Sequence, residues 1–166
     1  MARDAGRRLG PKLSVAILIA DMRSGEILGE VGSPDFFDRN RSGFVDMLRV
    51  PRSPGSTLKP LIYGIAFENG VAAQNTIMED RPANFSGYRP RNFDSAYQGD
   101  VTVRDALQMS LNVPAVQLLE AVGTPALFSR LRRAGAEPVL PKAETPGLAT
   151  GLGGLGLSLK DLVQLF

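Results

Sequence analysis

Two short runs in this 166-residue chain bring together residue types that could do chemistry. The first is Ser56-Thr57-Leu58-Lys59. If a helix opens at Ser56, Lys59 lies three positions on and on the same face, so hydroxyl and amine come within hydrogen-bonding reach. Ser56 then sits at the positive end of the helix dipole, which favours a developing alkoxide. Lys59 must be neutral to act as a base, and its apolar flank of Leu58, Leu61 and Ile62 supplies desolvation that lowers an amine's pKa. The same four residues also describe a helix cap followed by an exposed lysine. The second run is Ser110-Leu111-Asn112. A serine hydroxyl and an asparagine amide two apart in a turn can face one cleft, the hydroxyl relaying a proton and the amide orienting an acyl-amide substrate. Its other reading is a helix end followed by Asn112 as the N-cap of a helix beginning at Val113-Pro114.

What the chain lacks sharpens the first run. It has no histidine and no cysteine, so a Ser-His-Asp triad, a disulfide framework and a Cys- or His-rich zinc site cannot be built from it. A nucleophilic serine here must lose its proton to another group, and lysine is the usual substitute. The net charge of +2 is weak. Basic residues gather at Arg3, Arg7, Arg8 and Lys12 and again at Arg130, Arg132 and Arg133 without the interleaved aromatics of a nucleic-acid stripe, so no nucleic-acid partner is expected. A hydrophobic fraction of 43% and a charged fraction of 22% are those of a globular domain able to bury a core. No apolar run reaches the roughly 18 residues of a membrane span. Leu13 to Ala20 is too short for a signal peptide and carries no cleavage site.

The elements that must position these residues can be sketched from pattern. Residues 1–12 read as a disordered or appended N-terminal segment. Residues 13–20 read as a buried strand, Asp21 to Gly25 as a turn and Glu26 to Val31 as a second strand, making a hairpin. Residues 32–53 read as a long irregular connection. Leu58, Leu61, Ile62, Ile65 and Ala66 recur at helical spacing after Pro54-Gly55, with Gly70 as the C-terminal cap. Residues 71–100 read as loop. Thr102 with Asp105 marks a helix start, running to about Met109. A further helix spans Val113 to about Val122, and another runs from Thr124-Pro125 to before Gly135. Ser158 with Asp161 starts a last one. The fold class is α/β (α+β): an N-terminal β-hairpin plus a mainly helical part.

Serine-x-x-lysine, serine-x-asparagine and lysine-threonine-glycine are the motif set of serine β-lactamases and penicillin-binding proteins, and the first two occur here in order, about fifty residues apart. Wider stretches agree: Arg52-Ser53-Pro54-Gly55-Ser56-Thr57-Leu58-Lys59-Pro60, Pro90-Arg91-Asn92-Phe93-Asp94, Ser110-Leu111-Asn112-Val113-Pro114-Ala115-Val116, and Gly151-Leu152-Gly153-Gly154 with Ser158-Leu159-Lys160-Asp161-Leu162. From about Leu13 onward the chain resembles the transpeptidase domain of bifunctional (class A) penicillin-binding proteins, particularly the 1C type. The resemblance implies a penicillin-binding-protein/serine β-lactamase-like fold, present here from residue 13 to 166 as a partial domain with further sheet strands missing. It implies a serine-type D-Ala-D-Ala transpeptidase at the periplasmic face of the inner membrane in the bacterial cell envelope, anchored in its parent by segments outside this chain. It also implies that β-lactams mimic the donor stem peptide and remain on the serine. Carried over, Ser56 is the nucleophile, Lys59 its base, Ser110 the proton relay, and Asn112 the group that orients substrate and lysine. No metal or organic cofactor is expected.

The third motif is absent, since no Lys-Thr-Gly or Lys-Ser-Gly occurs. In the family it lies on a cleft strand that supplies the second oxyanion donor, and loss of one such donor costs about 10² to 10³ in rate. The expectation is therefore an impaired or inactive chain whose open hairpin edge can self-associate. Two other readings stand beside the transpeptidase: a β-lactamase or D,D-carboxypeptidase passing the acyl group to water, and a non-catalytic module that binds cell-wall peptide or protein.

Overall fold

The computed structural model describes residues 1–141 and 145–166. They form two compact units.

The first unit comprises residues 1–52, 134–137 and 157–166. Its centre is a hairpin as expected, β1 (Ile17–Ala20) antiparallel to β2 (Ile27–Val31), with a register irregularity between Ile19 and Ala20. The strand read as buried over residues 13–20, however, begins only at Ile17 and leaves Ile19 exposed, since only one partner strand covers it. The turn is built by Asp21, whose Oδ1 accepts from the backbone N–H groups of Arg23 and Ser24 at 2.9 and 2.8 Å. Gly25 closes it at φ +73°, a left-handed geometry that favours glycine. Residues 1–12 are not the disordered segment expected: Ala2–Leu9 form a helix, α1. Arg41 helps account for this, because its Nη1 donates to the carbonyls of Gly6 at 2.7 Å and Leu13 at 2.8 Å and so ties the middle of the helix to the residue that follows the segment. The last helix, here α6 (Leu159–Leu165), starts with the full capping box expected of Ser158 and Asp161 and packs on β1.

The second unit comprises residues 53–133 and 138–156. A 3-10 turn over Gly55–Leu58 runs straight into α2 (Lys59–Glu68). The loop expected over residues 71–100 is only partly loop. It holds β3 (Ile77–Asp80), which pairs antiparallel with β4 (Gly99–Thr102). Aspartate, glutamate and glycine within these strands disguise them, since such residues are poor strand formers and only the long-range ladder makes the element. Three helices follow at the expected places: α3 (Val103–Gln108), capped by the Thr102 hydroxyl, α4 (Asn112–Val122) and α5 (Thr124–Arg133). Helices α2 and α4 form the centre, burying Leu58, Ile62, Ala66, Val113, Val116 and Leu119 to 0% exposure. Gly151 permits closer approach, since a Cβ there would lie 2.6 Å from Leu119 Cδ2 and 3.1 Å from Ile62 Cδ1.

Candidate active site

Lys59 is the first residue of α2 and is only 1% exposed, packed among the buried side chains of that helix. Its ammonium donates to Asn112 Oδ1 at 2.7 Å, to Ser110 Oγ at 3.1 Å and to the Ser110 carbonyl. An ammonium has three N–H donors, and these three acceptors use all of them. Desolvation by burial holds the amine down at about 8, far below an ordinary lysine. The alternative of an exposed lysine after a helix cap is thereby set aside.

Ser110 ends the turn after α3 at φ +55°, the left-handed region, which a non-glycine residue adopts at a cost. Its N–H bonds the Leu107 carbonyl, and the next N–H, of Leu111, bonds Ala106. That geometry presents both carbonyl and hydroxyl to Lys59. Asn112 opens α4, yet its side chain does not cap the helix. Its Nδ2 instead donates to the Arg91 carbonyl at 2.6 Å, which leaves Oδ1 for the lysine.

Ser56 lies exposed in the 3-10 turn that delivers Lys59. The expected Ser56–Lys59 hydrogen bond is not formed among the described residues, because the ammonium is saturated by the serine-asparagine turn. The glycine run at 151–154 supports the Ser56 turn from behind. Ser53 Oγ donates to the Gly153 carbonyl at 2.7 Å, and Gly153, at φ +93°, lies so close to Gly55 that a Cβ would come within 2.6 Å of its nitrogen.

Two residues of this region escape reading by residue type. Asn92, 5% exposed, and Asp80, 0% exposed, form a buried polar pair behind Asn112. Asn92 Nδ2 donates to both Asp80 carboxylate oxygens at 2.9 and 2.8 Å and to the Ala96 carbonyl at 2.8 Å, while its Oδ1 accepts the Asn112 backbone N–H at 2.7 Å. Asp80 also accepts from the Gln98 N–H at 2.8 Å. The only sequence signal was the Pro90-to-Asp94 stretch as a whole. Among the described residues no cluster of histidine, cysteine or acidic side chains could hold a metal ion, and no helix is long and apolar enough to cross a membrane.

Ser56 thus stands one turn ahead of a buried, depressed lysine that is wired to the Ser110-Leu111-Asn112 turn. The family model described as the penicillin binding protein transpeptidase domain matches residues 15–151, and the chain belongs to that family. It is 40% identical to penicillin-binding protein 1C of Escherichia coli K12 over 166 residues, which is all of this chain and 22% of that protein. It is 32% identical to penicillin-binding protein 1A of Neisseria gonorrhoeae over 149 residues, 85% of this chain and 18% of the relative. The chain thus spans about a fifth of the length of these relatives. Among solved structures it is similar to PonA1 of Mycobacterium tuberculosis in complex with penicillin V, with a TM-score of 0.78 at 19% identity over 96% of this chain and 45% of that one. It is also similar to penicillin-binding protein 1A of Haemophilus influenzae, with a TM-score of 0.74 at 22% identity over 90% of this chain and 22% of that one. These likenesses establish the fold.

Proposed function

We propose that this chain carries the nucleophile half of a D,D-transpeptidase site that cross-links peptidoglycan in the bacterial cell envelope, with Ser56 as nucleophile, Lys59 as base, Ser110 as relay and Asn112 as orienting group. The observation that carries the reading is the meeting of Lys59 with both polar side chains of the Ser110-Leu111-Asn112 turn, fifty residues away in sequence.

The chemistry follows from the amine. With its pKa at about 8, roughly one Lys59 in ten is neutral at pH 7. A neutral amine has two N–H groups for three acceptors, so one contact gives way and a lone pair is freed. The longest contact is to Ser110 Oγ. Ser56 Oγ attacks the carbonyl of the penultimate D-alanine while its proton passes to Lys59. The tetrahedral intermediate collapses, and the proton travels from Lys59 through the Ser110 hydroxyl to the departing D-alanine amine. An amine of a second stem peptide then attacks the ester, yields its proton back along the same route and restores the Ser56 hydroxyl. A β-lactam enters the same first step, and its opened ring stays on Ser56. The parent works at the periplasmic face of the inner membrane.

With no Lys-Thr-Gly in the chain, one oxyanion donor is absent, and acylation of the chain alone is slower by about 10² to 10³. The test is mass spectrometry after β-lactam treatment of this chain and of a form extended through a Lys-Thr-Gly strand. The expected result is labelling of the extended form at Ser56, loss of the label in Ser56→Ala, and slow or no labelling of the short chain. Labelling of neither would favour a non-catalytic binding module. A labelled form that passes its acyl group to water in preference to an amine would make it a hydrolase.

A further inference from the structure

We infer that Asn92, held by Asp80, is a positioning residue that fixes the Asn112 backbone at the start of α4 and thereby aims the Asn112 side chain at Lys59. The inference rests on the proposed role of Lys59 and extends it one layer into the protein.

The first N–H groups of a helix have no intrahelical acceptor and need one from outside the helix. Asn112 stands at the start of α4, and the residue before it, Leu111, has no capping oxygen. The acceptor comes from Asn92 Oδ1, twenty residues away in sequence, at 2.7 Å from the Asn112 nitrogen. An amide side chain has two faces, and only its oxygen can serve here. The two Asp80 oxygens and the Ala96 carbonyl demand that the nitrogen end of Asn92 face them, so Asp80 fixes which end of Asn92 meets α4. The neighbouring Arg91 carbonyl then takes Asn112 Nδ2 at 2.6 Å. One loop therefore holds Asn112 at its backbone and at its side-chain nitrogen, leaving a single free atom, Oδ1, and that atom accepts from Lys59. Asp80 and Asn92 are buried and touch neither Ser56 nor Lys59 by hydrogen bond, so they act through Asn112.

The test uses NMR on this chain, following the Lys59 side-chain carbon through a pH titration and the exchange of the Asn112 backbone N–H. The variants are Asn92→Leu and Asp80→Leu/Asn92→Leu. The double variant replaces the polar pair by apolar side chains of similar volume, a change that buried polar pairs often tolerate without loss of stability. The expected result is a folded double variant in which Lys59 titrates at least one pH unit higher than in the parent chain, because the unlatched Asn112 admits water to the amine. In the extended form, its acylation by penicillin falls between about fivefold and a hundredfold, the range for one buried hydrogen bond left unmade. A folded double variant with an unmoved Lys59 titration and unchanged acylation overturns the inference and leaves the role of Lys59 standing. Ordinary titration of Lys59 in the parent chain instead overturns that role. If the double variant does not fold, Asn112 N–H exchange in the parent decides: protection supports the latch, and exchange at the rate of an open helix terminus refutes it.

Discussion

Replacement of Lys59 by methionine should change not only activity but the pH dependence of stability, in a direction opposite to that of an ordinary surface lysine. Burial lowers the folded-state pKa from 10.5 to about 8. The folded chain therefore binds fewer protons than the unfolded chain between these two values, and stability rises with pH across that window. Below pH 8 both states are protonated and the full cost of burying the charge is felt. Above 10.5 both are neutral and the cost is gone. Integration from pH 7 to pH 9.5 gives a gain of about 2 kcal/mol attributable to this one amine. Lys59→Met has no such amine, so urea unfolding followed by circular dichroism at several pH values should give two curves that converge. The variant should be the more stable at pH 7, with the difference shrinking by about 2 kcal/mol at pH 9.5. Using the variant as reference cancels the other titrating groups. That includes Tyr63, whose buried hydroxyl is pushed up first by desolvation and then by the Asp80 charge. Parallel curves would show that Lys59 is solvated and ordinary, and the case for it as a base at neutral pH would go with that result.

Three further outcomes are expected. Gly153→Ala should destabilise by about 2 kcal/mol or more in urea unfolding, since the new Cβ would meet Ser53 Oγ at 2.4 Å and Gly55 N at 2.6 Å from a left-handed backbone; an unchanged midpoint would show that the Ser56 turn is not held from that side. Ser158→Ala should cost about 1 kcal/mol by the same measurement, because it removes the acceptor of the Asp161 N–H at the start of α6. The two-stranded sheet of β1 and β2 carries exposed Ile19, Ile27 and Leu28, so sedimentation velocity should reveal concentration-dependent association that Leu28→Lys reduces; a monomer at every concentration would refute it.

The parts legible in the sequence were those written in local chemistry. Thr102 with Asp105 and Ser158 with Asp161 announced their helices because a capping box is complete within four residues. Ser56, Lys59, Ser110 and Asn112 are ambiguous one motif at a time, and stand out only because the two motifs occur together and in the order of a family set. What stayed hidden depends on partners far along the chain. Ile77–Asp80 becomes a strand only by pairing with Gly99–Thr102, and α1 is held by Arg41, thirty-five residues from the Gly6 carbonyl it binds. Asn112 does open a helix, but the cap its residue type suggests is not made, because its side chain is drawn off by the Arg91 carbonyl and Lys59. Asp80 carried no signal at all, since its importance lies in fixing which end of another side chain faces forward.

The left-handed backbone of Ser110 has a consequence for how such a protein can change. Any selection for heat resistance will meet an easy gain here: Ser110→Gly relieves about 1 kcal/mol of backbone strain and leaves the carbonyl available to Lys59. It also deletes the hydroxyl. A library screened only for folding should therefore enrich glycine at this position and drift toward proteins that survive without the relay proposed for Ser110, so under that proposal the strained serine is a place where durability and turnover pull the sequence in opposite directions.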